Sequence, residues 1–243
     1  MDRRTAMAAL LGLALAVAGC SGTGSPPRGE GAGTAATTPG PTTTTAATTT
    51  LATEGSQAAT TTTRAAAPVR YRFPVAGCRA QYGNSHHDYP AADMFTGRGC
   101  AFVAPVAGRV DEVTRTDTWS QATDKGADRG GRSVSLVGVD GVRYYGSHLE
   151  AIAAGIAPGT RVRAGQLLGR IGNSGSARVT AVHLHFGISW PTRPGIWWIR
   201  RGTIPPARYL DAWRDGESLS PVRAVRAARA EAGREVPACQ ARC

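Results

Sequence analysis

Between residues 21 and 67 the chain offers almost nothing to bury. The stretch is largely Thr, Ala, Gly, Ser and Pro, and Leu51 is its only large apolar side chain. Such a segment cannot hide enough apolar surface to offset the entropy of an ordered chain, so it is expected to be a disordered tether. A flexible coil of that length has a root-mean-square span of about 40 Å. Whatever folds must therefore fold from about residue 68 onward. The stretch 68–215 is long enough for one core, and a polar tail, 216–243, follows it.

The residues before the tether read as an export signal. Arg3 and Arg4 precede an apolar run from Ala6 to Ala18, which ends in Val17-Ala18-Gly19-Cys20. A basic start, an apolar core of about a dozen residues and small residues before a cysteine make a signal peptide, too short to span a bilayer comfortably. The ending resembles a bacterial lipobox, which implies cleavage before Cys20 and lipidation of its thiol. The expected organisation is a lipoprotein signal peptide over 1–20, a tether over 21–67, a folded domain over 68–215 and a helical, basic tail over 216–243. The expected location is extracytoplasmic, on the cell membrane and facing the wall, with the N-terminal lipid as the membrane contact.

Charge and cysteines fit that compartment. The chain has 28 Lys and Arg, of which Arg3, Arg4, Arg28 and Arg64 precede residue 68, and 17 Asp and Glu, of which Asp2, Glu30 and Glu54 do. The folded part and its tail thus carry about +10, nearly all of it arginine. An exported basic protein points to an acidic partner such as wall polymer or anionic headgroups. Nucleic acid is excluded as a partner, because no aromatic-basic recognition pattern is present and the compartment is wrong. With Cys20 lipidated, an even set remains, and an oxidising compartment favours disulfides. Cys78 with Cys100 would close the segment that holds the first histidines. Cys239 with Cys243 would close a small C-terminal loop. None of them forms a Cys-x-x-Cys pair, so a cysteine zinc site is not expected.

From residue 70 the pattern is mostly β. Strands are predicted over Arg70–Phe73, Ala92–Phe95, Gly108–Thr114, Ser133–Val139, Val142–His148, Gln166–Ile171 and His183–Ser189. Asp140-Gly141 between two of these runs is a tight-hairpin signal. Closely spaced strands with short turns and no intervening helices predict an all-β fold of antiparallel sheets. Residues 115 to 132 make a polar loop long enough to suggest a functional role. The Ala, Arg and Glu-rich stretch Pro221–Glu235 predicts a helix that is mostly solvated.

The five histidines fall into three clusters. In Val182-His183-Leu184-His185-Phe186 the alternation puts both imidazoles on one face of a strand and Leu184 and Phe186 on the other. The stretch His86-His87-Asp88-Tyr89-Pro90-Ala91-Ala92-Asp93 sets imidazoles and a carboxylate on adjacent segments, and these are good zinc donors. Tyr144-Tyr145-Gly146-Ser147-His148-Leu149 ends the hairpin strand on a histidine. Downstream, Trp197, Trp198 and Trp213 either cover a sheet edge or wall a groove, where Arg200 or Arg201 could meet peptide carboxylates.

The order of these elements resembles the lysostaphin-type zinc endopeptidases that cut peptidoglycan peptides. The likeness runs over roughly residues 72 to 189. It rests on the His/Asp cluster, Ala104-Pro105-Val106-Ala107-Gly108-Arg109-Val110, Tyr145-Gly146-Ser147-His148-Leu149, the turns Gly159–Gln166 and Gly169–Gly175, and His183-Leu184-His185-Phe186. The resemblance implies an open-grooved β fold and Zn2+ held by a first histidine (His87 or His86), Asp93 and His185, with metal-bound water as nucleophile. It implies His148 and His183 as the pair that handles the proton and the oxyanion. The substrate implied is the cross-link or stem peptide of peptidoglycan. The family's first motif has three residues between His and Asp; here His87 leaves five and His86 six, and the nearer His87 is favoured. Thr180-Ala181-Val182 also stands where the family commonly has a glycine. The alternative function is a catalytically idle wall-binding protein, or an activator of another wall hydrolase.

Overall fold

The computed structural model describes residues 68–239, apart from Ser85 and His87. The signal, Cys20, the tether and Cys243 lie outside the described residues. Among the described residues nine strands form one sheet with every pairing antiparallel. They are β1 (Val75–Ala76), β2 (Ala92–Phe95), β3 (Ala101–Val103), β4 (Gly108–Thr114), β5 (Arg132–Gly138), β6 (Arg143–Ile152), β7 (Arg161–Val162), β8 (Leu167–Ile171) and β9 (His183–Ser189). Three helices follow: α1 (Trp197–Arg200), α2 (Ala207–Arg214) and α3 (Val222–Glu231). The sheet is open, running β1-β3-β8-β6-β5-β4-β7.

The long strand β6 gives the sheet its shape. One edge pairs with β5. The other edge pairs first with β9, over Arg143–Ser147, and then with β8, over Leu149–Ile152. The sheet therefore forks at β6, and β2 lies along the outer edge of β9. His148 is the residue between the two pairings. Its φ is +65°, a left-handed conformation that a non-glycine residue adopts only where the surroundings enforce it. The ladder with β8 slips between Leu149 and Ala151, and such a bulge re-aims the side chains beside it.

The two faces of β9 have different fates. Leu184, Phe186 and Ile188 are fully buried, and Met94, Ala92 and Tyr144 stand opposite them in register. α2 covers this face, with Trp213 against Phe186 and Tyr144. Emptying the Phe186 position by Phe186→Ala would cost about 4 kcal/mol, since apolar transfer and cavity terms add. The opposite face carries His183 and His185, aligned with Phe95 and Asp93 on β2. α1 lies on that side: Arg200 sits over the Tyr145 ring, 5.0 Å from its centroid.

Ala92–Phe95, Gly108–Thr114 and His183–Ser189 form as predicted; the alternation is cleanest in His183–Ser189, whereas Gly108–Thr114 carries a register shift between Val110 and Glu112. The Asp140-Gly141 turn also forms, with Asp140 Oδ1 accepting the Val142 N–H at 3.2 Å and Gly141 at φ +77°. Arg70–Phe73 is not a strand. Tyr71 instead stacks flat on Trp213, with ring centroids 5.2 Å apart, and the ladder starts after Pro74. Residues 104–107 are a turn, so the strand there begins at Gly108; Pro105 has no N–H to give a ladder. The short strands β1, β3 and β7 and the helices α1 and α2 were not predicted. α3 exposes most of its surface and buries Val225. Cys78 and Cys100 are joined as a disulfide, closing the loop between β1 and β3. Cys239 is disulfide-bonded as well.

Candidate metal centre and active site

Three elements deliver donors to one point. β2 presents Asp93, the adjacent strand β9 presents His185 directly opposite, and the loop before β2 folds back to bring in His86. That fold-back is fixed by the His86 N–H donating to the Ala91 carbonyl at 2.9 Å. One donor atom each from His86, Asp93 and His185 lies within 4.8 Å of the other two. His86 Nε2 is 3.6 Å from Asp93 Oδ2, and His185 Nδ1 is 2.8 Å from Asp93 Oδ1. The structure thus gathers His86 with Asp93 and His185, and His87 lies outside the described residues.

The donor set fits a metal ion. His185 Nε2 lies 3.0 Å from the Arg201 carbonyl oxygen, which can only accept, so Nε2 carries the proton. A neutral imidazole has one N–H, so Nδ1 then turns a lone pair toward the Asp93 carboxylate. The contact is a hydrogen bond when the ring is doubly protonated; when it is neutral, two lone pairs face each other and a shared cation would satisfy both, which is how a carbonyl-oriented histidine serves in zinc sites. Burial raises the Asp93 carboxyl, but the hydrogen bond and charge of His185 with the charges of His183 and His86 outweigh it. The group ends well below the ordinary carboxylate range.

His148 and His183 stand beside this cluster, with ring centroids 4.7 Å apart. His148 Nδ1 donates to the Ser174 carbonyl at 2.8 Å, and His183 Nδ1 donates to the Ala181 carbonyl at 2.8 Å. Each ring is thereby anchored through Nδ1, leaving Nε2 as the nitrogen available for other contacts. His183 Nε2 is 3.8 Å from Asp93 Oδ1. Burial and the neighbouring His183 and His185 hold the His148 pKa down to about 3, so it is a neutral base at ordinary pH.

A cavity of about 400 Å³ opens over these side chains. One wall is the loop of residues 115–131, which contributes Trp119, Asp124 and Arg129. The other wall is Tyr89 together with Trp197, Arg200 and Arg201 from α1 and its C-terminus. Gly187 on β9 makes that second wall possible. A Cβ there would lie 2.3 Å from the Arg201 carbonyl oxygen, so only glycine lets this backbone reach His185. Gly202, at φ +142°, likewise meets the Pro90 carbonyl. Burial opposes the Arg200 charge, but Tyr145 and its ion pair with Glu112 keep it a cation. The sequence reading gave Tyr89 and the Arg201 carbonyl no part in the site. The only sequence signal for them was the run of aromatics and arginines.

A family model described as peptidase family M23 matches residues 88–195. The matched span begins after His86 and ends before α1, so it covers neither that histidine nor the wall that α1 builds. Among solved structures, the catalytic domain of the antimicrobial peptidase lysostaphin from Staphylococcus simulans is 25% identical, over 54% of this chain and 92% of that one, with a TM-score of 0.42. The longer lysostaphin structure from the same organism is 24% identical over 60% of this chain, with a TM-score of 0.44, and only 54% of it is covered. A zinc-containing peptidase from Vibrio cholerae is 20% identical, over 50% of this chain and 36% of that one, with a TM-score of 0.37. No curated protein matches the chain.

Proposed function

We propose that the chain is a zinc-dependent endopeptidase that hydrolyses cross-link or stem peptides of bacterial peptidoglycan, held at the membrane by a lipid on Cys20. The observation that carries this reading is the convergence of His86, Asp93 and His185 beside two imidazoles that are both anchored through Nδ1. His86, Asp93 and His185 would hold the ion. When bound there, zinc supplies a Lewis acid for the scissile carbonyl and lowers the pKa of water.

The protein's own groups account for the rest. The Arg201 carbonyl orients His185, and Asp93 supplies negative charge to the cluster. His148 and His183 are anchored through Nδ1, so their rings are held with Nε2 as the reacting atom. One takes the proton of the attacking water, and the pair returns a proton to the departing amine. Both are buried, and burial keeps His148 neutral and basic until the proton arrives.

The test is mass spectrometry of purified peptidoglycan incubated with the zinc-loaded full chain, beside its His183→Ala form. New peptide termini from the intact chain alone establish the activity and identify the bond. No new termini, with zinc bound, would overturn it and leave wall binding or activation of another hydrolase.

A further inference from the structure

Three arginines line the cavity: Arg129, Arg200 and Arg201. Two are neutralised inside the protein, Arg129 by Asp124 and Arg200 by Glu112. Arg201 differs. Among the described residues no carboxylate lies within ion-pair distance of it, and its buried Nε, like that of Arg200, has no hydrogen-bond partner. Its guanidinium carbon lies 4.0 Å from the centroid of Tyr89 and 4.7 Å from that of Trp197. Aromatic stacking occupies the faces of a guanidinium and leaves its in-plane N–H groups directed outward, as a fork that matches a carboxylate. The stack is a rigid mount for that fork. It is also close to the chemistry, since the Tyr89 ring centroid is 4.4 Å from that of His86 and 5.6 Å from that of His185.

We infer that Arg201 is a substrate-carboxylate receptor, and that the preferred peptide carries a free α-carboxylate on the residue that follows the scissile amide. Successive Cα atoms are about 3.8 Å apart, so such a carboxylate lies roughly one residue length from the cleaved bond. The Tyr89 ring lies between the Arg201 guanidinium and the His86 and His185 rings, so a carboxylate one residue beyond the scissile amide falls on the Arg201 side of the ligands. A direct stem-peptide bond can present this group; a bridge of glycines offers only uncharged amides. The identity of the ligand rests on the peptidase reading above, whereas the carboxylate preference rests on Arg201.

The test is calorimetric binding of acetyl-Lys-D-Ala-D-Ala and its C-terminal amide to the zinc-loaded full chain and to its Arg201→Gln form. The free acid is expected to bind at least about tenfold tighter than the amide, with a preference that weakens as salt is raised. In Arg201→Gln, which keeps the backbone carbonyl that orients His185, the two peptides should bind within about twofold of each other. Equal binding of acid and amide to the unaltered chain overturns the inference. So does a preference that survives in Arg201→Gln, since the carboxylate would then be read by the metal. Failure of both peptides to bind overturns it too. An Arg201-dependent preference without peptidoglycan cleavage would uphold this inference while overturning the peptidase reading.

Discussion

The two walls of the cavity are held by different physics. The loop of residues 115–131 is pinned at its end by close approaches at Gly130 and Gly131, and over the rest of its length it is tied down by polar contacts. Asp117 accepts from the Gly175 N–H at 3.0 Å and pairs with a half-exposed Arg178, and Asp124 pairs with Arg129. The α1 wall is tied down by backbone close approaches at Gly187 and Gly202, a buried arginine and stacked rings. Polar contacts near water are screened and exchangeable, whereas steric fit is not. The loop wall is therefore the adjustable side, and the α1 wall sets the fixed dimension of the site.

The sharpest way to break this contrast is Gly187→Ala. The new methyl cannot coexist with the Arg201 carbonyl, so the variant should lose about 3 kcal/mol in urea unfolding. Its zinc affinity, followed by competition with a chelator, should fall about 10- to 100-fold as His185 loses its orienting acceptor. Unchanged zinc binding would mean that the α1 wall is not part of the site. Next comes Arg200→Ala, which leaves Glu112 unpaired. A fully buried broken pair costs about 3–5 kcal/mol. Glu112 is about a quarter exposed, so about 2 kcal/mol is expected in the same assay.

The loop wall should respond less, and to different variables. Burial raises the Asp117 carboxyl, but hydrogen bonds from Gly175, Arg178 and Trp119 outweigh it and hold it below its ordinary value. A carboxyl lowered on folding contributes stability that is fully present above about pH 4 and disappears as pH falls through the lowered folded value. Asp117→Asn should cost about 1 kcal/mol at pH 7 and nothing once that titration is complete, which a melting series across pH would show. The smallest effect is ionic. Raising salt from low to about 1 M should speed amide hydrogen exchange in residues 115–131 a fewfold and leave residues 196–202 unaltered. Equal responses from both segments would erase the distinction.

Much of the sheet was legible because its strands alternate. In His183–Ser189 the apolar and polar positions are separated without exception, so the face and the paired histidines follow from the sequence. The choice between His86 and His87 does not follow from spacing along the chain. His87 is nearer to Asp93 along the chain, but reach through space depends on how the loop turns. The His86 N–H on the Ala91 carbonyl brings His86 round to the carboxylate. Arg201 shows a different limit. Its role begins with a backbone carbonyl, which every residue has, so no side-chain pattern marks it. The side chain was legible, as an arginine in a run of aromatics, but the carbonyl was marked only indirectly, by a glycine at 187 in an otherwise bulky strand. The short strands β1, β3 and β7 span two or three residues each, too few to show a period.

The fork at β6 makes folding its own inspector. One strand serves two ladders, and His148 stands where one hands over to the other. A slip of one residue against β9 or against β8 would turn the neighbouring side chains to the opposite face. The first error would separate His148 from His183 and the second would take the Ser174 carbonyl away from His148 Nδ1, while the rest of the sheet could still pair and still bury its core. A misregistered molecule would then be compact but inert toward peptide bonds. Hydrolytic competence is in this sense a receipt for two correct registers, issued at a single residue.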